Sequence, residues 1–527
     1  MKKRLALLLA LVLAFGALAG CGSSGSTATT AAPAADAPAD APSADRQMVV
    51  GIPGLPDNGD VQNTSSVYNR IGFAAQVYDY LMVKDGDGNI LPHLVESYEM
   101  ADDASECTFK LVEGVKWHDG TEMTSEDVRF TVERAKAGTG SQKTYCGDID
   151  HVEVIDDYNF KIVMGTPNVA LLEYLTAIPI VCEHFITEVG DELYGTDVQY
   201  VMGSGPYKAT EWVFGDYIVF EANEDYFLGA PEIKSVKLRV VADTNSAVIE
   251  LQTGGIDFYM NDVPYISLPT LEADSGINIE YASSFRYNYV LFNAESGLFA
   301  DKAMRRAVAY AVNRDEMLII GCEDLKNGTL VNTPAGPDFT ANPDYSSWPY
   351  ETDIEKGKEI VAGSGYDGHT VVIKTLTVDP YPKLATMLLE SLTRLGINAE
   401  VEQYENSAYI EEVCQNGNFE IAICFNTFPA KDMDIAINAQ LHSSKSGLGG
   451  NYGRYVSDEM DALIVKAKTI ADPAAREAAY QEIIDLFAED LPSIPLYYTK
   501  STRAYSADLA CKDNCAQYDR FYYFSFR

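Results

Sequence analysis

The sequence is poor in positive charge. Only 39 of its 527 residues are Lys or Arg, against 78 Asp or Glu, which gives a formal charge of −39. Binding to nucleic acid requires a basic surface, and electrostatic docking on anionic lipid headgroups requires one as well. The composition therefore argues against both functions and favours the well-solvated surface of a secreted protein.

The common catalytic motifs are also missing. The sequence contains no G-x-S-x-G, S-x-x-K or H-E-x-x-H, so nothing indicates an activated nucleophile or a catalytic zinc. It contains neither a P-loop nor a G-x-G-x-x-G, so nothing indicates a bound nucleotide. We therefore expect a protein that is not an enzyme and that carries no cofactor.

Histidine and cysteine do not form metal-binding patterns. The six histidines are scattered and never spaced i, i+4, and no C-x-x-C occurs among the nine cysteines, so we expect no metal site. His442, which lies nearest the candidate ligand loop described below, is the histidine to test. Only Cys511 and Cys515 are close enough in sequence to suggest a local disulfide, and we expect some of the others to be free, buried thiols.

The first 45 residues look like a targeting segment and a linker rather than part of a folded domain. Three basic residues precede the apolar run Leu5–Ala19, as in a signal peptide. The run ends in Leu-Ala-Gly-Cys21, which resembles a bacterial lipobox, so we expect cleavage after residues 1–20 and acylation of Cys21. Residues 22–45 contain only Gly, Ser, Thr, Ala, Pro and Asp, and we expect a disordered linker between the lipid anchor and the body.

The stretch Leu91–Ala135 is the most informative part of the body. Alternating apolar residues over 107–111 predict a strand with one buried face. Glu113-Gly114 predicts a turn, after which 115–118 is predicted to run back as a second strand. Asp119-Gly120, which follows, is a strong signal for a two-residue hairpin turn. Thr124 with an acid three residues later has the form of a helix capping box. The sequence therefore predicts a strand–turn–strand–helix unit.

The order of residues in this unit, with GVKWHDG followed by T-x-x-D-V-x-F, resembles the extracytoplasmic solute-binding proteins of the peptide/nickel family, family 5. Three further blocks resemble the same family: GSGPYK at 203–208, DTNSAVIELQTGGIDF at 243–258, and 287–316. We interpret Gly205-Pro206 as a turn where two backbones approach closely. The resemblance implies that His118, part of the shared WHDG hairpin, has a structural role.

The resemblance implies an α/β fold of the type II periplasmic-binding-protein class (cluster C), with two lobes, a hinge of two crossing strands and an inserted subdomain. In this chain the expected parts are the signal peptide 1–21, the linker 22–45, lobe I over 46–74, 198–284 and 495–527, the inserted subdomain 75–197, and lobe II over 285–494. Independently, the apolar pattern over 381–425 is βαβ-like and predicts a parallel sheet in lobe II.

Two acids are the candidate anchors for a ligand ammonium group. The family's peptide binders hold the free amino terminus with an Asp in a loop that follows a buried strand of lobe II. Here the strand is predicted over 419–425, and the acids that follow are Asp432 and Asp434 in the run K-D-M-D. The resemblance favours Asp432, with Asp434 second, and the alternative is that both are ordinary loop acids.

The remaining candidates are less specific. The family's dipeptide binders place a cation for the ligand carboxylate before a lobe II helix, where this chain has Lys383 beside Tyr381. Because relatives prefer the forked guanidinium of Arg there, Lys383 is more readily explained as a solvated charge. Other candidate cleft residues, by position alone, are Phe425, Asn426, Trp212 and Tyr289.

The function implied by the resemblance is that of an extracytoplasmic receptor that binds short peptides between its lobes and delivers them to an ABC permease and its ATPase. We expect a monomer held to the membrane by its lipid anchor, on the cell surface or the periplasmic face. The alternatives are a nickel chelate, heme, glutathione or oligosaccharide as the solute of the same transporter class, or a solute sensor.

Overall fold

The computed structural model describes residues 46–85, 89–343, 347–428, 431–512 and 520–527. The predicted signal peptide, Cys21, the linker and Cys515 lie outside these residues. Within the described part no helix is long and apolar enough to cross a membrane. Cys511 is disulfide-bonded, and Cys107, Cys146, Cys182, Cys322, Cys414 and Cys424 are free and buried, as expected for thiols that act as small apolar side chains.

The fold is mixed α/β. In the described ranges the strands are β1 (Met48–Ile52), β2 (Met82–Lys84), β3 (Ile90–Pro92), β4 (Val95–Met100), β5 (Glu106–Leu111), β6 (Ile149–Val154), β7 (Asn159–Met164), β8 (Tyr207–Val213), β9 (Tyr217–Ala222), β10 (Ser235–Val240), β11 (Phe258–Tyr259), β12 (Ile277–Phe292), β13 (Gly328–Leu330), β14 (Val371–Leu376), β15 (Ala399–Tyr404), β16 (Ile421–Thr427), β17 (Ser493–Ser506), β18 (Leu509–Cys511) and β19 (Phe524–Phe526).

The α-helices of the same ranges are α1 (Ala75–Val77), α2 (Ser125–Ala137), α3 (Gln142–Tyr145), α4 (Leu171–Tyr174), α5 (Glu183–Val189), α6 (Thr244–Thr253), α7 (Leu268–Glu272), α8 (Lys302–Ala311), α9 (Arg314–Cys322), α10 (Ile354–Gly363), α11 (Tyr381–Arg394), α12 (Asn406–Tyr409), α13 (Met433–Leu441), α14 (Asp458–Lys468) and α15 (Pro473–Asp490). Two π-helical segments, Asn69–Ala74 and Ile410–Gln415, adjoin α1 and α12.

One large sheet runs through the body, with the strand order β15-β14-β16-β12-β17-β11-β1-β10-β9-β8 and β13 paired to β17. The long strands β12 and β17 are antiparallel to each other. β12 pairs with β17 along both of its halves, and its second half, Arg286–Phe292, also pairs with β16 on the other side. The register between β12 and β17 shifts between Ser283 and Tyr287. We call residues 283–287 and 498–500 the crossover segment.

The predicted parallel sheet is confirmed. β14 runs parallel to both β15 and β16, because α11 crosses from the end of β14 back to the start of β15. β16 is buried along its first four residues, as the continuous apolar run predicted. The strand covers 421–427 rather than the predicted 419–425. Phe425 and Asn426 therefore lie near its end, where it pairs with the crossover segment.

The predicted unit around Leu91–Ala135 is confirmed in part. β5 lies in a four-stranded antiparallel sheet of order β4-β5-β7-β6, and the capping box of Thr124 and Asp127 is present at the start of α2. The predicted strand 115–118 is wrong: these residues make only an isolated bridge between Lys116 and Glu122. The segment instead inserts Trp117, which is 2 % exposed, into the hydrophobic core that contains residues of the four-stranded sheet.

Hydrophobic side chains form separate cores on either side of the crossover segment. One comprises residues between Tyr287 and Tyr498. A second is built from β1, β10, β9 and the last residues of the chain, and a third lies between Leu81 and Met202 around the four-stranded sheet. A smaller fourth core surrounds α6 and α7. Independent cores joined by two strands are the arrangement that permits rigid-body motion about those strands.

The GSGPYK loop packs against backbone, as predicted. The amide of Gly205 donates to the carbonyl of Val77 at 2.9 Å, and a Cβ placed on Gly203 would lie 1.8 Å from that carbonyl oxygen. His118 belongs to the same contact: its amide donates to Gly203 O at 2.8 Å, and its Nε2 lies 3.0 Å from Gly205 O. Burial lowers the pKa of His118 to about 4, so it is neutral and structural.

Candidate solute-binding cleft

Two aromatic side chains predicted for the cleft are brought together at the crossover segment. Tyr381 begins α11, and Phe425 lies near the end of β16. Their rings stack with centroids 5.4 Å apart and planes at 24°. The Tyr381 hydroxyl also lies 3.5 Å from Asn288 Oδ1 on β12. Tyr381 is buried in the core of the region 285–494, and Phe425 beside it is partly exposed.

Arg286 lies beside this aromatic pair, and no local sequence pattern singled it out. Its guanidinium carbon lies 5.1 Å from the centroid of the Phe425 ring. Burial raises the pKa of Tyr381 to about 12, and the positive charge of Arg286 opposes that rise. The same charge opposes the rise that burial causes in the pKa of Tyr265, which lies before α7 on the other side of the crossover. The charge of Arg286 therefore influences tyrosines on both sides of the crossover segment.

Asp432 is already paired within the protein. It caps α13 by accepting from the amide of Asp434 at 2.8 Å. Its two carboxylate oxygens accept from both terminal nitrogens of Arg476 on α15, at 2.6 and 2.7 Å. Both side chains are buried, at 5 and 6 % exposure. The charge of Asp432 is thus neutralised by a bidentate partner 44 residues further along the chain.

Asp434 is in the opposite situation. Its side chain is fully buried, and neither carboxylate oxygen has a hydrogen-bond partner in the described structure. Burial raises the pKa of Asp434 to about 6, the nearby charges of Asp432 and Asp148 add to the rise, and Lys468 and Arg476 oppose it. Two bare acceptor oxygens in a buried site are a candidate position for a cationic group.

Three contacts join the regions 75–197 and 285–494 close to Asp434. Asp148 pairs with Lys468 Nζ at 2.8 Å, and the Val169 amide donates to the carbonyl of Lys468 at 3.3 Å. The Glu173 carboxylate accepts from the amide of Lys431 at 2.8 Å. Tyr174, on the same short helix α4 as Glu173, packs against the core of the opposite region. These two regions are therefore in direct contact.

The other predicted site residues lie elsewhere. Lys383 is half exposed and pairs with Asp379 at 3.2 Å, a solvated arrangement. Tyr289 is buried in the core and stacks on Tyr287 with centroids 4.7 Å apart. Trp212 is on the edge strand β8, five strands and roughly 24 Å from β17, where it packs on Phe73. Asn426 pairs in register with Tyr287 on β12 and is partly exposed beside Phe425.

The histidines do not converge. Within the described residues no group of three or more His, Cys, Asp or Glu is arranged to hold a metal ion. His442, the histidine chosen for testing, caps a short turn by accepting from the Ser444 amide at 3.2 Å and lies 3.6 Å from Asp461. Its surroundings are those of a helix-end residue.

The fold and the crossover define a class: a bilobal solute-binding protein with a type II periplasmic-binding-protein fold, whose lobes are joined by two strands. The comparisons with known proteins give the family. Residues 89–447 match the model of "Bacterial extracellular solute-binding proteins, family 5 Middle", and the chain belongs to that family.

Relatives and solved structures agree with this assignment. The chain is 30% identical over 467 residues to the oligopeptide-binding protein AppA of Bacillus subtilis, covering 82% of each protein. It is 26% identical to the glutathione-binding protein GsiB of Escherichia coli, over 83% of this chain and 86% of that protein. The structure of AppA in complex with a nonapeptide matches with a TM-score of 0.73 at 26% identity, over 92% of this chain and 99% of AppA.

Proposed function

We propose that this chain is the substrate-binding component of an ABC importer that captures short peptides between its lobes and delivers them to a permease. The observation that carries the proposal is the likeness to AppA along nearly the whole body, in sequence and in fold, since AppA was solved with a peptide bound. The predicted lobe boundaries are part of this proposal, and the separate hydrophobic cores support them.

The contacts between the regions 75–197 and 285–494 support a closed arrangement. Asp148–Lys468 and Glu173–Lys431 join the inserted subdomain to lobe II across the opening that a ligand would use to enter. A ligand that touches both lobes stabilises the closed state by its difference in affinity for the two states. In our proposal these two contacts form on closure and break when the lobes separate.

Within this cleft, Asp434 is our preferred anchor for the ammonium group of a peptide. Its oxygens are unpaired and it lies at the contact between the two regions, whereas the carboxylate of Asp432 is occupied by Arg476. A ligand ammonium would offset the cost of keeping the Asp434 charge buried. Tyr381, Phe425 and Asn426 would line the apolar part of the same cleft.

The location follows from the family, whose members are extracellular solute-binding proteins. We propose that the mature chain begins at an acylated Cys21 and that acyl chains hold it at the membrane, because the acidic body gives no electrostatic attraction to anionic lipid. We further propose that it acts as a monomer, since the cleft is formed by a single chain.

Ligand-induced stabilisation tests the proposed function. A ligand that binds only the folded state raises the free energy of unfolding by RT ln(1 + [L]/Kd), about 2.7 kcal/mol at 100 times Kd. We expect a library of short peptides to raise the unfolding temperature of the purified protein. Glutathione is the second candidate because of the likeness to GsiB. A shift with glutathione or a nickel chelate, and none with any peptide, would contradict the proposal.

A further inference from the structure

Arg286 is a cation in the crossover segment. It lies within the register shift of β12, between Ser283 and Tyr287, and pairs with Thr427 of β16. Its amide donates to Ser284 Oγ at 3.0 Å, which holds the backbone of the shifted segment. Its side chain is exposed. Arg286 therefore lies where lobe I passes into lobe II, with its charged group outside the cores.

Aromatic side chains hold the guanidinium in place. It lies over the face of Phe425, whose other contact is the stacked ring of Tyr381. Nearby in lobe I, the hydroxyl of Tyr265 donates to the carbonyl of Lys500 at 2.6 Å, in the second crossing strand. A guanidinium with one face on a ring keeps the N–H groups of its edge available for hydrogen bonds.

The charge of Arg286 has no acidic partner in the described residues. Many basic side chains of this acid-rich chain form ion pairs, such as Lys383 with Asp379, but Arg286 makes none with a described carboxylate. The Phe425 ring beneath its guanidinium is neutral. An arginine that is positioned by aromatic contacts but not neutralised is suited to bind a carboxylate with two parallel hydrogen bonds.

We propose that Arg286 binds a carboxylate of the captured solute at the hinge between the lobes. The inference rests on the proposed function in that the solute is a peptide. The carboxylate belongs either to the free carboxyl terminus or to an acidic side chain of that peptide. Because Arg286 lies in the crossover segment, where the chain passes from lobe I to lobe II, and its guanidinium lies over Phe425 of lobe II, a carboxylate bound there lies at the junction of the lobes and favours closure.

Binding calorimetry with three matched ligands tests the inference. The ligands are a short peptide with a free carboxyl terminus, the same peptide as its carboxamide, and a carboxamide carrying one Glu. We expect the Arg286→Gln variant to bind the carboxylate-bearing ligand roughly 10- to 100-fold more weakly than the unmodified protein does, and the uncharged carboxamide equally well. The Arg286→Lys variant should recover part of the loss, because it keeps the charge without the fork.

The matched control is Arg394→Gln, which removes an exposed arginine from the last residue of α11 in the same lobe and should bind all three ligands normally. A loss confined to the free acid assigns the carboxyl terminus, and a loss confined to the Glu peptide assigns a side chain. Equal binding of all three ligands by Arg286→Gln and by the unmodified protein would overturn the inference and leave the proposed function standing. Failure of every peptide to bind the unmodified protein would instead overturn the proposed function.

Discussion

Replacing Asp432 by Ala lowers the free energy of unfolding by about 3–5 kcal/mol, because it leaves the guanidinium of Arg476 buried without a counter-charge. The pair is bidentate, at 2.6 and 2.7 Å, and both side chains are almost inaccessible. The substitution also removes the cap of α13, which adds about 1 kcal/mol. Chemical unfolding of the ligand-free protein measures the loss.

A double variant separates the ion pair from the rest of the site. Arg476→Met alone should also destabilise the protein, because it leaves the Asp432 carboxylate buried, whereas the double variant Asp432→Asn, Arg476→Met should cost less than the sum of its parts. The competing hypothesis, drawn from the sequence, is that Asp432 holds the ligand ammonium. An Asp432→Ala variant of unchanged stability that no longer binds peptide would support that hypothesis and contradict a structural role.

Replacing Asp434 by Asn should increase the stability of the ligand-free protein at neutral pH. Burial raises the pKa of Asp434 from its ordinary value of 3.8 to about 6, so the folded state holds its proton more tightly than the unfolded state does. As the pH rises from about 4 to 6 the unfolded state ionises first, and the folded state loses stability. The two-unit difference corresponds to about 3 kcal/mol above pH 6.

The pH dependence gives this prediction a clear signature. The stability difference between Asp434→Asn and the unmodified protein should be flat above about pH 7, shrink as the pH falls, and vanish below about pH 3, where the carboxyl is protonated in both the folded and the unfolded state. If Asp434 holds the peptide ammonium, the same variant should also lose the stabilisation that peptide confers. If the stability gain of Asp434→Asn over the unmodified protein were smaller at pH 7 than at pH 4, that result would contradict the proposal that Asp434 carries an uncompensated buried charge.

The sequence predicted the helices and strands of lobe II better than it predicted which of their side chains pair with each other. The apolar run that forms β16 and the helix pattern of α11 are local signals, and they placed Phe425 and Tyr381 close enough to meet. The pairing of Asp432 with Arg476 joins residues 44 positions apart, on two helices whose packing no local pattern encodes. The sequence therefore favoured Asp432 over Asp434, and it gave no sign that the Asp432 carboxylate is paired with Arg476.

Arg286 was missed for a related reason. Within SFRYNYVLF it reads as one polar position of an alternating strand, and the register shift that brings it to the crossover depends on pairing with β17. The returning strand at 115–118 was predicted from its turn residues, but Trp117 packs into the core and the ladder is reduced to one bridge. Trp212 was selected by its block alone, and the strand order placed it at the far edge of the sheet.

The central claim is that peptide closes two lobes joined only by two strands, and solution X-ray scattering tests it most directly. Ligand-free protein is prepared by unfolding and refolding, which releases any bound peptide. The unmodified protein should show a smaller radius of gyration when it is saturated with a binding peptide than when it is ligand-free. A variant with Lys468→Ala, which removes the contact to Asp148, should be more open without ligand and still compact with it. An identical radius of gyration with and without a peptide shown to bind would contradict the account.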